Sequence, residues 1–450
     1  MRQTALIVLA AGQGSRMKSD LPKVLHAVAH APLLIHAWRS GERLAPARTV
    51  IVAGHGGDAV ESAARAHDPG VAVVRQTEQL GTAHAVAQAR AALDGFAGDA
   101  FVLYGDTPFI APETLEKMRA AREDGADVVV LGFEAAEPGR YGRLVAEGDR
   151  LERIVEAKDA TPAELAITLC NSGVVAADAE TLFDLIEQVG NDNAAGEYYL
   201  TDIVALARAG RMSARVVVCA EAETMGVNTR MDLAAAEAAF QAGKRAEAMA
   251  NGATLTAPET VFFAHDTMLG RDVVVEPHVV FGPGVTVESG ATLRAFSHLE
   301  GCHVSEGCTI GPYARLRPGA ELDRGVRVGN FVEVKAAQVA EGAKLNHLSY
   351  IGDARVGARA NIGAGTITCN YDGVFKHRTD IGADAFIGSN SALVAPVRVG
   401  AGAMTGSGSV VTQDVPDGAL ALGRSKQVNK DGFATRLMAK LRAAKARKTN

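Results

Sequence analysis

The sequence predicts an α/β domain with a mostly parallel sheet, followed by a parallel β-helix of hexapeptide repeats. Three observations carry this. Short apolar runs alternate with Ala-rich helical stretches up to about residue 230. A segment of strong helix formers then marks a change of character. From about residue 260, aliphatic side chains recur every six residues, a period that neither a helix nor a strand generates.

In the first part, residues 5–9, 50–53, 71–75, 100–104 and 128–133 are near-continuous apolar runs, as expected of strands buried on both faces. Residues 82–92 and 112–123 are helical in character. Ligands of such sheets bind beyond the carboxyl ends of the strands. Residues 231–251 read as a connecting helix closed by Asn251-Gly252. The domains expected are therefore 1–230, a helical linker at 231–251, and 252–450.

The six-residue ruler runs through Phe263, Leu269, Val275, Phe281, Val287, Leu293 and Leu299. After one five-residue step it continues through Val304, Ile310, Leu316, Leu322, Val328 and Val334, then Val339, Leu345 and Ile351, then Val356 and Ile362. It resumes at Ile381, Ile387, Leu393 and Val399. Each unit is one short strand and a turn; three units close one triangular coil, and coils stack. The 48 glycines and 5% aromatics suit tight turns and close backbone stacking better than a large aromatic core.

A net charge of −6 gives no global attraction to nucleic acid. No apolar run approaches the ~20 residues that span a bilayer, so no membrane is expected. The apolar start at 5–11 reads as a first strand rather than a signal peptide, since it runs straight into a Gly-rich turn and Arg16. Five scattered cysteines without a C-x-x-C pair argue for reduced thiols in a cytoplasmic protein, with no zinc site.

The first strand leads into LAAGQGSRMKSDLPKVLH, residues 9–26. Gly12-Gln13-Gly14 allows backbone N–H groups to approach phosphate oxygens. The run is not a Walker A motif, and Met17 spoils a Rossmann fingerprint. Arg16 and Lys23 remain as two cations that would neutralise a pyrophosphate leaving group; the plain alternative is a solvated loop with incidental cations. The stretch resembles the signature of sugar-1-phosphate nucleotidyltransferases, whose fold is Rossmann-like. Together with the repeat half, nearly the whole chain resembles the bacterial bifunctional N-acetylglucosamine-1-phosphate uridylyltransferase/glucosamine-1-phosphate N-acetyltransferase family. Only a basic tail of about 20 residues lies outside the likeness, and such tails are usually solvated.

That resemblance implies roles for particular residues. Leu9, Ala10, Ala11, Gly12, Arg16 and Lys23 would hold UTP, with Gln76, Gly81 and Thr82 at the uracil and Tyr104, Gly105 and Asp106 at the next strand end. Gly142, Glu156, Asn171 and Asn228 would bind the sugar. Asp106 and Asn228 would hold Mg²⁺. Ser172 departs from the pattern, which has Thr there. An Asp after a strand is by itself more often a turn or cap residue.

In the repeat half, Arg317 and Lys335 lie 18 positions apart and each follows an inward aliphatic residue. They should stack on adjacent coils about 4.8 Å apart. A shared anion would relieve their repulsion; splaying into solvent is the alternative. His347, in KLNHLSY, is the candidate general base for an amine attacking a thioester. By resemblance Tyr350 and Asn361 contact the sugar. Ala364, Asn370, Tyr371, Ser389, Ser407 and Arg424 line the acetyl-CoA site. The repeat breaks at 363–380, a segment holding Asn370, Tyr371 and Lys376, and such loops often serve function. The resemblance also implies a left-handed coil and a homotrimer with sites between subunits. Its expected substrates are glucosamine-1-phosphate, N-acetylglucosamine-1-phosphate, UTP and acetyl-CoA, for UDP-N-acetylglucosamine used in peptidoglycan and lipid A synthesis. A second reading keeps the nucleotidyltransferase and makes the β-helix a non-catalytic, oligomerising or regulatory part.

Overall fold

The computed structural model describes residues 2–193 and 195–448. Contacts divide the chain into two compact units, Met1–Lys244 and Arg245–Asn450. Among the described residues, nine strands form the main sheet of the first unit: β1 (Gln3–Ala10), β2 (Arg48–Ala53), β3 (Ala72–Arg75), β4 (Gly98–Tyr104), β5 (Val128–Glu134), β6 (Arg143–Glu147), β7 (Arg150–Val155), β8 (Leu169–Asp178) and β9 (Ala214–Cys219). Their order across the sheet is β3-β2-β1-β4-β8-β5-β9-β7-β6.

β1 is apolar from Ala5 onward because helices cover both faces. Ala5, Ile7 and Leu9 pack on the side of α3 (Thr82–Ala87), α5 (Ala179–Ile186) and α6 (Asp202–Ala209). Leu6, Val8 and Ala10 pack on the side of α1 (Leu33–Glu42), α2 (Gly57–His67) and α4 (Pro112–Glu123). β1 pairs in parallel with β2 and β4, while β8 enters antiparallel between β4 and β5. The chain passes from β1 to β2 and β3 on one side, then returns to place β4 on the other. The crevice between the carboxyl ends of β1 and β4 is thus a topological switch point, where ligands of α/β sheets bind.

The helix expected over 82–92 ends at Ala87. Beyond it the bonds shorten to i→i+3, as in Ala89 N–H to the Val86 carbonyl at 2.9 Å, and Ala89 and Leu93 both turn into the core. The connecting helix appears as α7 (Arg230–Ala250), and the boundary between units falls inside it. Its first turns belong to the first unit: Ala236 packs with Val28, Ala29, Leu33 and Val227, and Glu237 accepts the Ala29 N–H at 2.7 Å.

The second unit is a left-handed parallel β-helix. On one face Leu255, Val275, Leu293, Ile310, Val328, Leu345, Ile362 and Ile387 follow in register. Leu269, Val287, Val304, Leu322, Val339, Val356, Ile381 and Val399 define the second. Phe281, Leu299, Leu316, Val334 and Ile351 lie on the third. These residues form one core, with Leu269 at its partly covered end. Burial pushes the Cys302 thiol up to about 12, so it is an inert part of that core.

The break expected over 363–380 is shorter than the sequence suggested. A strand at Ile367–Cys369 keeps register with Ala392–Val394 and turns Thr368 inward. Its hydroxyl accepts the Gly352 N–H at 2.8 Å and donates to the Gly352 carbonyl at 3.0 Å. A bonded threonine can fill an inward position, so counting aliphatic residues missed this unit. Only the loop between that strand and Thr379–Ile381 leaves the coil.

A fragment of residues 1–244 is expected to melt cooperatively. A 1–230 fragment, stripped of most of α7, should be less stable by about 3 kcal/mol, because Val28, Leu33 and Val227 lose their cover. Circular-dichroism melts of the two fragments check this; equal stability would mean that α7 adds nothing to the first unit.

Candidate functional sites

The crevice beyond β1 and β4 holds a cavity of about 300 Å³. Its walls include Leu9, Ala11, Gly12, Lys23, Gln76, Gly81, Thr82, Tyr104 and Asp106. Gly14 has φ +63°, and a Cβ there would come within 2.6 Å of the Lys23 Cβ. Glycine therefore lets the loop after β1 fold onto the turn bearing Lys23. The Gly105 N–H donates to the Leu9 carbonyl at 2.9 Å, extending the β1–β4 pairing by one residue and carrying Asp106 to the crevice. Ala10 turns away from the cavity into the core under α1.

Residues from three segments converge at this point. The Lys23 ammonium is bonded to the Asp106 carboxylate and, at 3.0 Å, to Asn228 Oδ1. Arg16 donates to the same Asn228 oxygen at 2.9 Å. The Asp106 carbonyl accepts the Val227 N–H at 2.9 Å, which ties the two expected metal ligands together through the backbone. No group of three or more His, Cys, Asp or Glu suited to a metal occurs among the described residues. Asp106 and Asn228 nevertheless present two hard oxygen donors to one point. That set fits Mg²⁺, which takes one or two carboxylates and completes its shell with water and phosphate.

A further part of the cavity wall is the segment at Gln76–Thr82. Gln76 is buried and donates to the Gly81 carbonyl at 3.1 Å. Gly81, at φ +116°, leads α3 while lying against the Tyr198 backbone. Gln79 donates to the Ala11 carbonyl at 3.0 Å, closing this segment onto the Gly-rich loop. Thr82 accepts the Leu200 N–H at 3.0 Å. Glu197 lines the cavity as well. Sequence reasoning missed Gln79 as a loop clasp, and it missed Glu197 and the Tyr198–Leu200 backbone altogether. Those residues reach the site from a distant loop with no motif of its own.

Tyr104 joins this cavity to the expected sugar residues. Its ring lies against Gly173, and burial, helped by the nearby Asp106 charge, raises its phenol. The Asn171 N–H donates to the Gly142 carbonyl at 2.8 Å. Glu156 accepts from Thr201 at 3.3 Å. Burial holds its carboxyl above the usual range, and the nearby Asp202 and Asp159 charges add to this. Gly142, Glu156 and Asn171 are thus brought together, with Thr201 as an added neighbour that the sequence did not mark.

In the second unit, Arg317 and Lys335 stack on adjacent coils, with Leu316 in register with Val334. The repulsion expected from that stacking is eased on one side only, since Lys335 still feels the Arg317 charge. Arg317 pairs with Glu333 at 2.7 Å. Lys335 instead meets Lys376 from the inserted loop; this second ammonium and partial burial lower the Lys335 pKa, while Asp353 opposes them. The Lys335–Lys376 pair is the better anion signal. Asn370, buried, is bonded to Asp353 and lies 3.4 Å from the Tyr350 hydroxyl, so its side chain anchors the loop. Tyr371 is exposed, with its hydroxyl on the Gly373 carbonyl at 2.6 Å.

His347 stands on a corner of the coil. The Gly365 N–H donates to the His347 carbonyl at 3.3 Å, the Asn390 N–H to Ala364 at 2.7 Å and the Gly408 N–H to Ser389 at 2.8 Å. His347, Ala364, Ser389 and Ser407 therefore form one column down successive coils, about 14 Å long at one strand spacing per coil. Asn361 lies on the adjoining face, in register with Lys344, and Arg424 is exposed beyond the last strand at Leu420–Ala421. Asn330 Oδ1 accepts from His347 Nδ1 at 2.8 Å, a contact that sequence reasoning missed. With the proton on Nδ1, the lone pair is left on Nε2.

A Gly-rich loop, two cations and a paired carboxylate and amide at a switch point define a nucleotidyltransferase site, here followed by a hexapeptide β-helix. The family model described as the MobA-like NTP transferase domain matches residues 6–164. The curated "Bifunctional protein GlmU" of Dinoroseobacter shibae is 67% identical over 444 residues, covering 99% of each chain. The proteins of the same name from Ruegeria sp. (strain TM1040) and Jannaschia sp. (strain CCS1) are 66% and 64% identical; they cover 99% and 100% of this chain and 99% and 98% of their own. The chain belongs to the GlmU family of bifunctional proteins.

Asn330→Ala is expected to lower acetyl transfer by about 10-fold while leaving uridylyl transfer unchanged, since the imidazole loses the partner that sets its tautomer and direction. Separate assays of the two activities check this. An unchanged acetyl rate would show that the 2.8 Å contact does not orient a base.

Proposed function

We propose that the chain makes UDP-N-acetylglucosamine in two steps, one in each unit. In the second unit the amine of glucosamine-1-phosphate attacks the acetyl-CoA thioester. The C–N bond forms, the C–S bond breaks, and His347 Nε2 takes the amine proton and passes it to the departing CoA thiolate. Lys335, Lys376 and Arg317 hold the sugar phosphate. In the first unit the phosphate oxygen of N-acetylglucosamine-1-phosphate attacks the α-phosphorus of UTP, and pyrophosphate leaves. Arg16 and Lys23 neutralise the triphosphate, the Gln76–Thr82 segment holds the base, and Gly142, Glu156 and Asn171 orient the sugar. Asp106 and Asn228 would hold Mg²⁺, which when bound supplies charge neutralisation between phosphate oxygens. No protein nucleophile is needed, so catalysis is positioning and electrostatics.

The observation that carries the reading is the convergence of Arg16, Lys23, Asp106 and Asn228 at one strand-end crevice. The exposed His347, bonded through Nδ1 to Asn330, supports the second activity. The proposal extends to a cytoplasmic homotrimer whose acetyltransferase sites lie between subunits. No helix among the described residues is long and apolar enough to cross a membrane.

Pyrophosphate release from UTP and N-acetylglucosamine-1-phosphate, and thiol release from acetyl-CoA and glucosamine-1-phosphate, test the two halves. Asp106→Ala should abolish the first activity and spare the second. His347→Ala should cut the second by roughly 10²–10⁴-fold with an unchanged melt and spare the first. Absence of thiol release from the unaltered chain would overturn the acetyltransferase half and favour a β-helix that only assembles the protein.

Lys335→Ala should chiefly raise KM for glucosamine-1-phosphate, because a phosphate is held alike in the ground and transition states. Steady-state kinetics give the answer; a loss confined to kcat would place Lys335 in the chemical step instead.

A further inference from the structure

Asn228 lies two residues before α7, next to its cap residue Thr229, and what fixes its backbone is the first turn of that helix. The Asp232 carboxylate accepts the N–H groups of both Asn228 and Thr229, each at 2.9 Å. In return the Asp232 N–H donates to the Thr229 hydroxyl at 3.2 Å. The Thr229–Asp232 half is an ordinary capping box, in which the third residue of the helix bonds back to the cap residue. The bond to Asn228 is additional: it reaches one residue further, to the residue whose side-chain oxygen meets Lys23 and Arg16. A carboxylate on two N–H groups at a helix start is charge-assisted and lies at the favourable end of the helix dipole.

Two constraints therefore place the Asn228 oxygen opposite Asp106. One is the buried Val227, whose N–H is bonded to the Asp106 carbonyl at 2.9 Å. The other is Asp232, half-buried and outside the cavity wall. We infer that Asp232 is a positioning residue for the metal-holding pair: it sets the Asn228 backbone so that its amide oxygen meets the Asp106 carboxylate at one point. The inference rests on the uridylyltransferase reading, and within that reading it assigns a task to a residue that touches neither substrate nor metal.

The test compares Asp232→Ala with Thr229→Ala in the full-length protein. Both remove part of the capping box, but only the first frees the Asn228 N–H. Asp232→Ala is expected to raise the half-saturating Mg²⁺ concentration for uridylyl transfer about 10-fold, with kcat at saturating metal within about twofold. Mn²⁺ binding, read by electron paramagnetic resonance with a non-hydrolysable UTP analogue present, should weaken by the same factor. Thr229→Ala is expected to lower the melting temperature and leave metal binding as it was. Asp232→Asn keeps an acceptor but loses its charge; it should weaken Mn²⁺ binding about threefold, and it carries the test if Asp232→Ala does not fold. Unchanged Mn²⁺ binding in the folded Asp232 variants, or equal weakening in Thr229→Ala, would reduce Asp232 to a helix cap and overturn the inference. Asp106→Ala serves as the control: if it too binds Mn²⁺ normally, the uridylyltransferase reading itself fails.

Discussion

The parallel pairing of β1 with β4 is the constraint on which the first site depends. It sets Leu9 opposite Tyr104, and the following bond from Gly105 to Leu9 brings Asp106 up beside the Gly-rich loop. Parallel strands buried on both faces tolerate little slippage, because a shift of one residue would exchange every side chain between two packed cores. The loops can then be polar, glycine-rich and open while their anchors stay rigid. Arg16 and Lys23 share one stretch of chain, while Asp106 and Asn228 lie far from it in sequence, yet each is at most a few residues from an ordered element.

The β-helix uses backbone spacing in the same way. Stacked parallel coils place equivalent residues one strand spacing apart, so any side chain repeated at one turn becomes a column. The inward columns are aliphatic and make the core. One outward column carries His347, Ala364, Ser389 and Ser407, and the neighbouring face carries Arg317 and Lys335. Stacking also forces like charges together, and the chain manages this locally: Glu333 takes Arg317, while Asp353 lies near Lys335. The inserted loop adds Lys376 to Lys335 and is itself held by Asn370 on Asp353. A regular scaffold thus acquires a site where the repeat is broken.

α7 shows how a linker can take part in a site. Its Ala-rich sequence accounts for a helix, but its start does more than join two units. The Thr229–Asp232 turn orients Asn228, and Glu237 holds the Ala29 N–H a few residues after the Lys23 turn. The two segments that carry Lys23 and Asn228 are thereby braced from one helix.

The sequence by itself determined the two-part architecture and most strand positions. Apolar runs and the six-residue period are direct consequences of which backbone positions face a core, so they can be counted without coordinates. Gly12 and Lys23 were legible from a Gly-rich turn at a strand end, and Gln76, Gly81, Thr82 and Asp106 through the family resemblance; all six line one cavity. Thr368 escaped the count because its inward hydroxyl is satisfied by Gly352, a partner 16 residues away. The parts only tertiary structure decided all depend on contacts between distant segments. These are the Glu197–Leu200 wall, the Asn330–His347 bond, the Arg317–Glu333 pair and the grip of Asp232 on Asn228. Pairwise distance between segments has no signature in local pattern, because it is set by how whole sheets and coils pack.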